Sequence, residues 1–333
     1  MKRSSLYFVG PQRVEIREEE LESPKPGQVQ VRSLVSAISA GTELLIYKGQ
    51  APQNLAADTE FAALGGSLAF PLKYGYSMVG EITKLGDGVD EPWKGRRVFA
   101  FNPHESAFNA EVKDIQVVPE ESNIEDAAFL ANMETAVSLV QDGRPLLGEK
   151  VVVLGQGIIG LLATAILSRF PLELLSVDAI ELRREFSKRL GAKESFATNA
   201  VAEIKSRLGT RGADLVYELT GRPEALNTAL ELAGEHGRIV IGSWYGTRQA
   251  PINLGEKFHR GRIKIISSQV SQLEPGLRGR WDKARRFDEA WKWIQEIKPS
   301  QLVTHRFEFE KAAEAYKLLV EQPETALGVL FQY

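Results

Sequence analysis

Cysteine is missing from all 333 residues, which excludes disulfides and any metal centre built on thiolates. Histidine is scarce. The four, His104, His236, His259 and His305, are far apart and show no ligand spacing such as H-x-x-x-H, so no bound metal is expected. No apolar run reaches the ~20 residues of a membrane span, and MKRSSLYFVGPQRVEIREEE has no apolar core of signal length. Neither charge dominates, with 41 Lys and Arg against 44 Asp and Glu. That balance argues against a nucleic-acid or membrane partner. What remains is a cytoplasmic globular chain with a small-molecule partner.

The patterning changes twice along the chain. Up to about residue 120, short alternating runs bounded by Gly and Pro predict antiparallel strands at Leu6 to Val9, Arg13 to Arg17, Gln28 to Ile38, Tyr76 to Leu85 and Arg97 to Phe101. A loop with a short helix is expected from Gln50 to Gly66. After Asn123 the chain reads as helix, then as alternating apolar strands and helices. The strands are Lys150 to Leu154, Leu174 to Val177, Asp214 to Leu219, Arg238 to Ile241 and Ile263 to Ile266. Such alternation predicts an α/β block, a doubly wound parallel sheet with helices on both faces. The tail returns to the first style. Two domains are expected: residues 1–122 with 297–333, and residues 123–296.

The strongest local signal is VVVLGQGIIGLLATAIL. A buried strand runs into Gly155, Gly157 and Gly160, where a helix opens. Gly155 permits the turn, Gly157 lets backbone approach a pyrophosphate, and Gly160 lets helix and strand pack closely. The helix N-terminus offers free N–H groups and a positive dipole end to phosphate. Asp178 ends the next strand, at the distance of about 20 residues where a carboxylate meets the adenosine ribose. It would repel a 2′-phosphate, which favours NAD over NADP; its other reading is a helix cap before Ile180. The expected cofactor set is Gly155, Gln156, Gly157, Ile158, Ile159, Gly160, Asp178 and Arg183. Thr220, Gly242, Ser243, Trp244, Ser268 and Gln269 are added at the carboxyl ends of the strands.

In order and spacing, SAISAGTELLIYKG, KYGYSMVGEITKLGDGV, GRRVFAF, ANMETAVSLV, LGQGIIG, VDAIELRREFSKRLGA, VYELTG and GRIVIGSW resemble the medium-chain dehydrogenase/reductase superfamily over essentially the whole chain. The resemblance implies a Rossmann domain and a β-rich GroES-like catalytic domain, with the active site between them. Thr135, in the helix preceding the Rossmann strands, joins the cofactor set only because it resembles a threonine that similar proteins place near the nicotinamide. The chain departs from the zinc alcohol dehydrogenases of that superfamily. The position of their cysteine ligand falls at about Ser39, that of their histidine ligand at Tyr76, and of their third ligand near Ala131 to Glu134. Hydroxyls and a phenol are poor zinc ligands. SAISAGTE, YGYSMVGE, SSQVS, RWD, THRF and AAEAYKLL are most similar to the zinc-free subgroup that includes bacteriochlorophyllide a dehydrogenase, without implying its substrate.

Without zinc, the substrate oxygen needs a hydrogen-bond donor or acid from the protein. The candidates are Tyr76, Ser39, Thr42 and His104. Against these roles stand a strand tyrosine packing beside Tyr74, turn hydroxyls bonded to local backbone, and an exposed loop histidine. Glu43 either orients a donor or begins the next helix. The four arginines from Arg278 to Arg286 read as a solvated basic helix face or as a site for an acidic ligand. The expected activity is NAD-dependent, zinc-free interconversion of a secondary alcohol and a ketone. A quinone or enoyl reductase using NADPH and a non-catalytic dinucleotide-binding protein are the alternatives. The apolar segment from Ile263 to Ser267 would leave an open sheet edge, so a homodimer is expected.

Overall fold

The computed structural model describes residues 1–56 and 62–333. Part of the Gln50 to Gly66 loop therefore lies outside the described residues. The chain divides into two compact units, residues 1–131 with 298–333, and residues 132–297.

The chain opens with β1 (Lys2–Gly10), β2 (Arg13–Glu20), β3 (Gln28–Ala37), α1 (Ala40–Tyr47), β4 (Leu72–Lys73), β5 (Met78–Leu85), β6 (Arg97–Ala100), β7 (Ala107–Glu111), β8 (Ile115–Val117) and α2 (Ile124–Ala127). Helix α3 (Leu130–Gly143) leads into β9 (Lys150–Leu154), α4 (Ile158–Leu167), β10 (Glu173–Val177), α5 (Glu181–Arg189), β11 (Glu194–Phe196) and α6 (Val201–Leu208). Then come β12 (Ala213–Glu218), α7 (Ala225–Leu232), β13 (Ala233–Ile241), α8 (Lys257–Arg260), β14 (Lys264–Ser267) and α9 (Lys283–Ile297). The tail is β15 (Val303–Glu308), α10 (Ala312–Glu321) and β16 (Gly328–Gln332).

In the second unit the sheet order is β11-β10-β9-β12-β13-β14, with every pair parallel. The order reverses direction between β9 and β12, the switch point at which α/β sheets bind ligands beyond their carboxyl ends. Central β9 is apolar without alternation because both its faces are covered. Val151, Val152 and Val153 expose nothing, and each such side chain contributes about 1.5–3 kcal/mol by its burial. Helix α4 is likewise buried from Gly160 to Leu167. Six strands form where five were expected. The three-residue β11 carries no period-2 apolar pattern that would mark it.

In the first unit, a seven-stranded sheet runs β15-β16-β3-β5-β6-β8, with β7 also on β3. Strand β3 bulges twice against β5, between Gln30 and Val31 and between Ser33 and Val35. A three-stranded sheet, β2-β1-β4, lies apart. Helices α1 and α10 share a core with β1, where Tyr316 sits edge-on to Phe8 and stacks on Tyr47, both at 5.2 Å. The Tyr76 to Leu85 strand is shorter than expected, starting at Met78 and leaving Tyr76 in the loop before it. Helix α2 groups with the first unit, since Asp126 accepts from the Ser300 N–H at 2.7 Å.

A charged cluster ties β1, β2 and β4 together. Glu19 accepts from Arg3 at 2.9 Å, from Lys73 at 3.3 Å and from the Tyr7 hydroxyl. Burial pushes the Glu19 carboxyl up, but Tyr7, Lys73 and Arg3 outweigh it and hold the group at about 2 against an ordinary 4.5. A depressed carboxylate stabilises the fold above its unfolded value and loses that contribution as pH falls from 4.5 toward 2. With the carboxylate about a quarter exposed, the stake is about 2 kcal/mol. In urea titrations at pH 6, Glu19→Gln is expected to be less stable than the parent by that amount. The gap should narrow steadily as pH falls from 4.5 toward 2; a gap independent of pH would contradict the pairing.

Candidate functional site

The second unit builds its site from the end of β9. Gly155 has φ +90°, and a Cβ there would lie 2.6 Å from the Leu219 carbonyl; only glycine makes this turn against the β12 loop. A Cβ on Gly160 would meet the Gly155 oxygen at 2.0 Å, so helix and turn are in contact. Gly157 is the N-cap of α4 with φ −68°, and its Cβ direction meets no atom within 4 Å. The first-turn N–H groups of α4, from Ile158 onward, have no intrahelical partner. These groups could hold a pyrophosphate.

Asp178 comes to the same turn. Its carboxylate accepts the Gln156 N–H at 2.7 Å and the Ile180 N–H at 2.8 Å. It therefore braces the glycine turn and caps the next backbone segment at once. The Gln156 side chain points inward, donating to Val153 and Gly155 carbonyls and accepting from Thr164. Arg184 donates to the Asp178 and Ala179 carbonyls, both at 2.9 Å. Arg183 has a buried Nε without a hydrogen-bond partner among the described residues, and burial lowers its pKa. These residues fit the diphosphate and adenosine ribose of a nicotinamide dinucleotide.

Loops at the carboxyl ends of β12, β13 and β14 hold the remaining expected residues except Thr135. Thr220 bonds to Glu218 through its N–H at 2.9 Å and through its hydroxyl. Ser243 accepts from the Gly221 N–H at 2.8 Å. Gly242 gives space to Leu139 and Leu219, whose methyls lie 2.6 and 2.7 Å from a built Cβ. Trp244 is 38% exposed. The Ser268 hydroxyl is engaged by Asp142 at 2.6 Å, and Gln269 by Ser271 at 2.8 Å. Thr135 is half-buried on α3.

In the first unit the structure gathers all four proton-handling candidates into neighbouring networks. The Tyr76 phenol bonds to the Ser39 hydroxyl and donates to Thr42 Oγ1 at 3.3 Å. It also packs edge-on to Tyr74 at 6.0 Å, from the loop before β5 rather than from a strand. Burial raises its pKa, the Ser39 and Thr42 hydrogen bonds oppose this, and nearby Glu43 adds to it. The phenol is thus a proton-bearing donor at neutral pH. Glu43 lies in α1, which already starts at Ala40, and it is wholly buried. It accepts the Ser39 N–H at 2.7 Å, the Tyr316 hydroxyl, and His104 Nε2 at 3.1 Å.

The exposed-loop alternative for His104 does not hold. The residue exposes no surface. Gly75, at φ +124°, makes its room: a Cβ there would stand 2.7 Å from the imidazole. Its Nδ1 meets Ser36 Oγ at 2.7 Å, and Ser36 in turn meets the Tyr333 hydroxyl at 2.9 Å. Ser36, His104 and Glu43 thus follow the order of a nucleophile, base and acid. None of the three exposes any surface, so no acyl substrate reaches Ser36. The arrangement is an internal brace under the Tyr76–Ser39–Thr42 hydroxyls.

The positions of the superfamily's zinc ligands do not fit that metal. Ser39 and Tyr76 are bonded to each other, and the phenol keeps its proton. Glu134, 2% exposed, is taken by Arg286, whose Nη2 and Nε donate to one oxygen at 2.7 and 3.1 Å. Zinc prefers imidazole and thiolate. Arg286 also corrects the solvated-face reading of its stretch: it is fully buried and reaches Ser138 and the Val270 carbonyl as well. Tyr245, which the sequence sets beside Trp244 as a candidate pocket wall, donates instead to Glu218, a buried acid that the sequence did not single out. An acid closing the apolar run DLVYE was the available signal for Glu218.

The chain matches the zinc-binding dehydrogenase family model over residues 159–295. It is 23% identical over 298 residues to 2-dehydro-3-deoxy-L-galactonate 5-dehydrogenase of Pseudoalteromonas atlantica, covering 80% of this chain and 83% of that protein. It is 28% identical to D-guloside 3-dehydrogenase of Escherichia coli, covering 77% of each. Its fold superposes on the alcohol dehydrogenase rspB of E. coli CFT073, solved with NADH, at a TM-score of 0.81 and 21% identity, over 100% and 99% of the two chains. An inserted Rossmann unit, a GroES-like unit closed by the tail, and these relatives support the resemblance to the medium-chain dehydrogenase/reductase superfamily.

Proposed function

We propose that the protein interconverts a secondary alcohol and a ketone, takes NAD in preference to NADP, and works without zinc. The observation that carries this reading is the glycine turn at Gly155–Gly160 with the Asp178 carboxylate hydrogen-bonded to it. The bound dinucleotide supplies hydride exchange at nicotinamide C4. Backbone at Gly157 and the first turn of α4 hold the diphosphate, and Asp178 accepts from the ribose hydroxyls. The Tyr76 phenol, ordered by Ser39 and Thr42, donates to the substrate oxygen in reduction and takes that proton back in oxidation, while Glu43 and His104 keep the Ser39 segment in place.

The relatives' names point to polyols, sugar acids and glycosides as the first substrates to try. Tyr76→Phe removes one oxygen. Loss of general acid–base assistance is expected to lower kcat by 10²–10⁴-fold, with NADH affinity unchanged by calorimetry. Unaltered turnover would remove the phenol from the mechanism. Zinc independence requires that turnover survive EDTA and that elemental analysis find far less than one zinc per chain.

One observation favours the NADPH-dependent quinone or enoyl reductase: the unpartnered Nε of Arg183, in the helix that follows Asp178. Tighter binding of NADPH than of NADH would choose it. Binding of the dinucleotide without turnover of any alcohol or ketone tried would favour a non-catalytic role. We also propose a cytoplasmic homodimer joined at β14, a sheet-edge strand with half-buried Ile265 and Ile266. Sedimentation at micromolar concentration should give twice the chain mass.

A further inference from the structure

Glu218 is the last residue of β12 and exposes no surface. A buried carboxylate is costly unless donors surround it, and here they come from two loops. Thr220 of the β12 loop donates its N–H at 2.9 Å and its hydroxyl to Oε1. Tyr245 of the β13 loop donates its phenol to Oε2 at 2.6 Å. The Glu218 carbonyl accepts from Gly242 N at 3.1 Å and Ser243 Oγ at 3.3 Å. Ser243 Oγ takes the Gly221 N–H at 2.8 Å, which closes the clamp between the loops. The β12 loop also abuts the glycine turn, because a Cβ on Gly155 would sit 2.6 Å from Leu219.

Both neighbours of Trp244 are fastened by this clamp, while Trp244 itself stays 38% exposed, more than most large apolar side chains here. The carboxyl ends of β12 and β13 lie on the far side of the glycine turn from β10 and Asp178. A dinucleotide whose adenosine is at Asp178 extends its other half toward them.

We infer that Glu218 is a positioning residue for the nicotinamide–ribose half of the cofactor, its carboxylate acting through Thr220 and Tyr245 to set the loop that presents Trp244. The inference rests on the dinucleotide reading of the Gly155–Gly160 turn. Glutamine cannot replace Glu218, since its amide offers one acceptor oxygen where three donors converge. Calorimetry with NADH and with ADP-ribose, which lacks the nicotinamide, separates the two halves. In Glu218→Gln, NADH affinity should fall at least tenfold and ADP-ribose affinity should change less than twofold. Tyr245→Phe, the milder variant that keeps the ring, should weaken NADH three- to fivefold, again sparing ADP-ribose, and carries the test if Glu218→Gln does not fold. Unchanged NADH affinity, or equal weakening of both ligands, would overturn the inference. A parent protein that binds neither ligand would instead overturn the dinucleotide reading.

Discussion

Gly157→Trp should remove dinucleotide binding and leave the fold almost untouched. The backbone at this position, φ −68° and ψ −174°, suits any residue, and a side chain there meets no protein atom within 4 Å of its Cβ. An indole would fill the space that a diphosphate needs above the first turn of α4. A loss of at least 100-fold in NADH affinity is expected, about 2.7 kcal/mol, with a melting temperature within a few degrees of the parent. Gly155 and Gly160 offer the contrast. Alanine at either meets main-chain atoms at 2.0–2.6 Å, so those variants should lose stability as well as binding. Calorimetry beside thermal melts distinguishes the cases. A tryptophan variant that still binds NADH like the parent would mean the first turn of α4 is not where the diphosphate rests.

The second large effect is on stability. Glu134→Ala leaves the Arg286 guanidinium buried without its carboxylate, and breaking a buried pair from one side destabilises by roughly 3–5 kcal/mol. The Ser138 hydroxyl and the Val270 carbonyl still accept from Arg286, but neither carries compensating charge. Replacing both members, Glu134→Met with Arg286→Met, should recover most of the loss, because apolar substitutes of similar volume often match a buried ion pair. Urea midpoints of the two single variants and the double variant give the coupling directly. A Glu134→Ala protein as stable as the parent would show that the pair is not the brace between α3 and α9 that its geometry implies.

The cofactor turn was legible because each of its tasks is local: a strand, three glycines at fixed spacing, a helix, and an acid one unit later. The hydroxyl cluster was legible through the family resemblance, which assigns Ser39 and Tyr76 to the positions of zinc ligands. His104 stands among the candidates in the sequence, but its burial was not legible, because that depends on the missing side chain of Gly75 and on Glu43 and Tyr316, partners brought from distant segments. Strands β7, β8 and β11 escaped for a similar reason. AFNAE, IQV and ESF are short and lack a clean alternation, and their pairing is decided by neighbours remote in sequence. Arg286 did leave a trace. It shares the i, i+4, i+8 row of α9 with Ala290 and Ile294, all buried, and a row analysis of that helix sets it apart from its exposed neighbour Arg285.

The position of β16 governs the order of events during synthesis. It lies inside the seven-stranded sheet, parallel to β15 on one side and antiparallel to β3 on the other, with Leu330 opposite Ala37. The whole of residues 132–297 is made between those two partners. The inserted unit thus emerges from the ribosome with all six of its strands and can fold first, while β3 waits with one apolar flank uncovered. During that interval the nascent chain presents an unpaired strand edge, and chaperone demand should centre on the early segment rather than on the nucleotide-binding core.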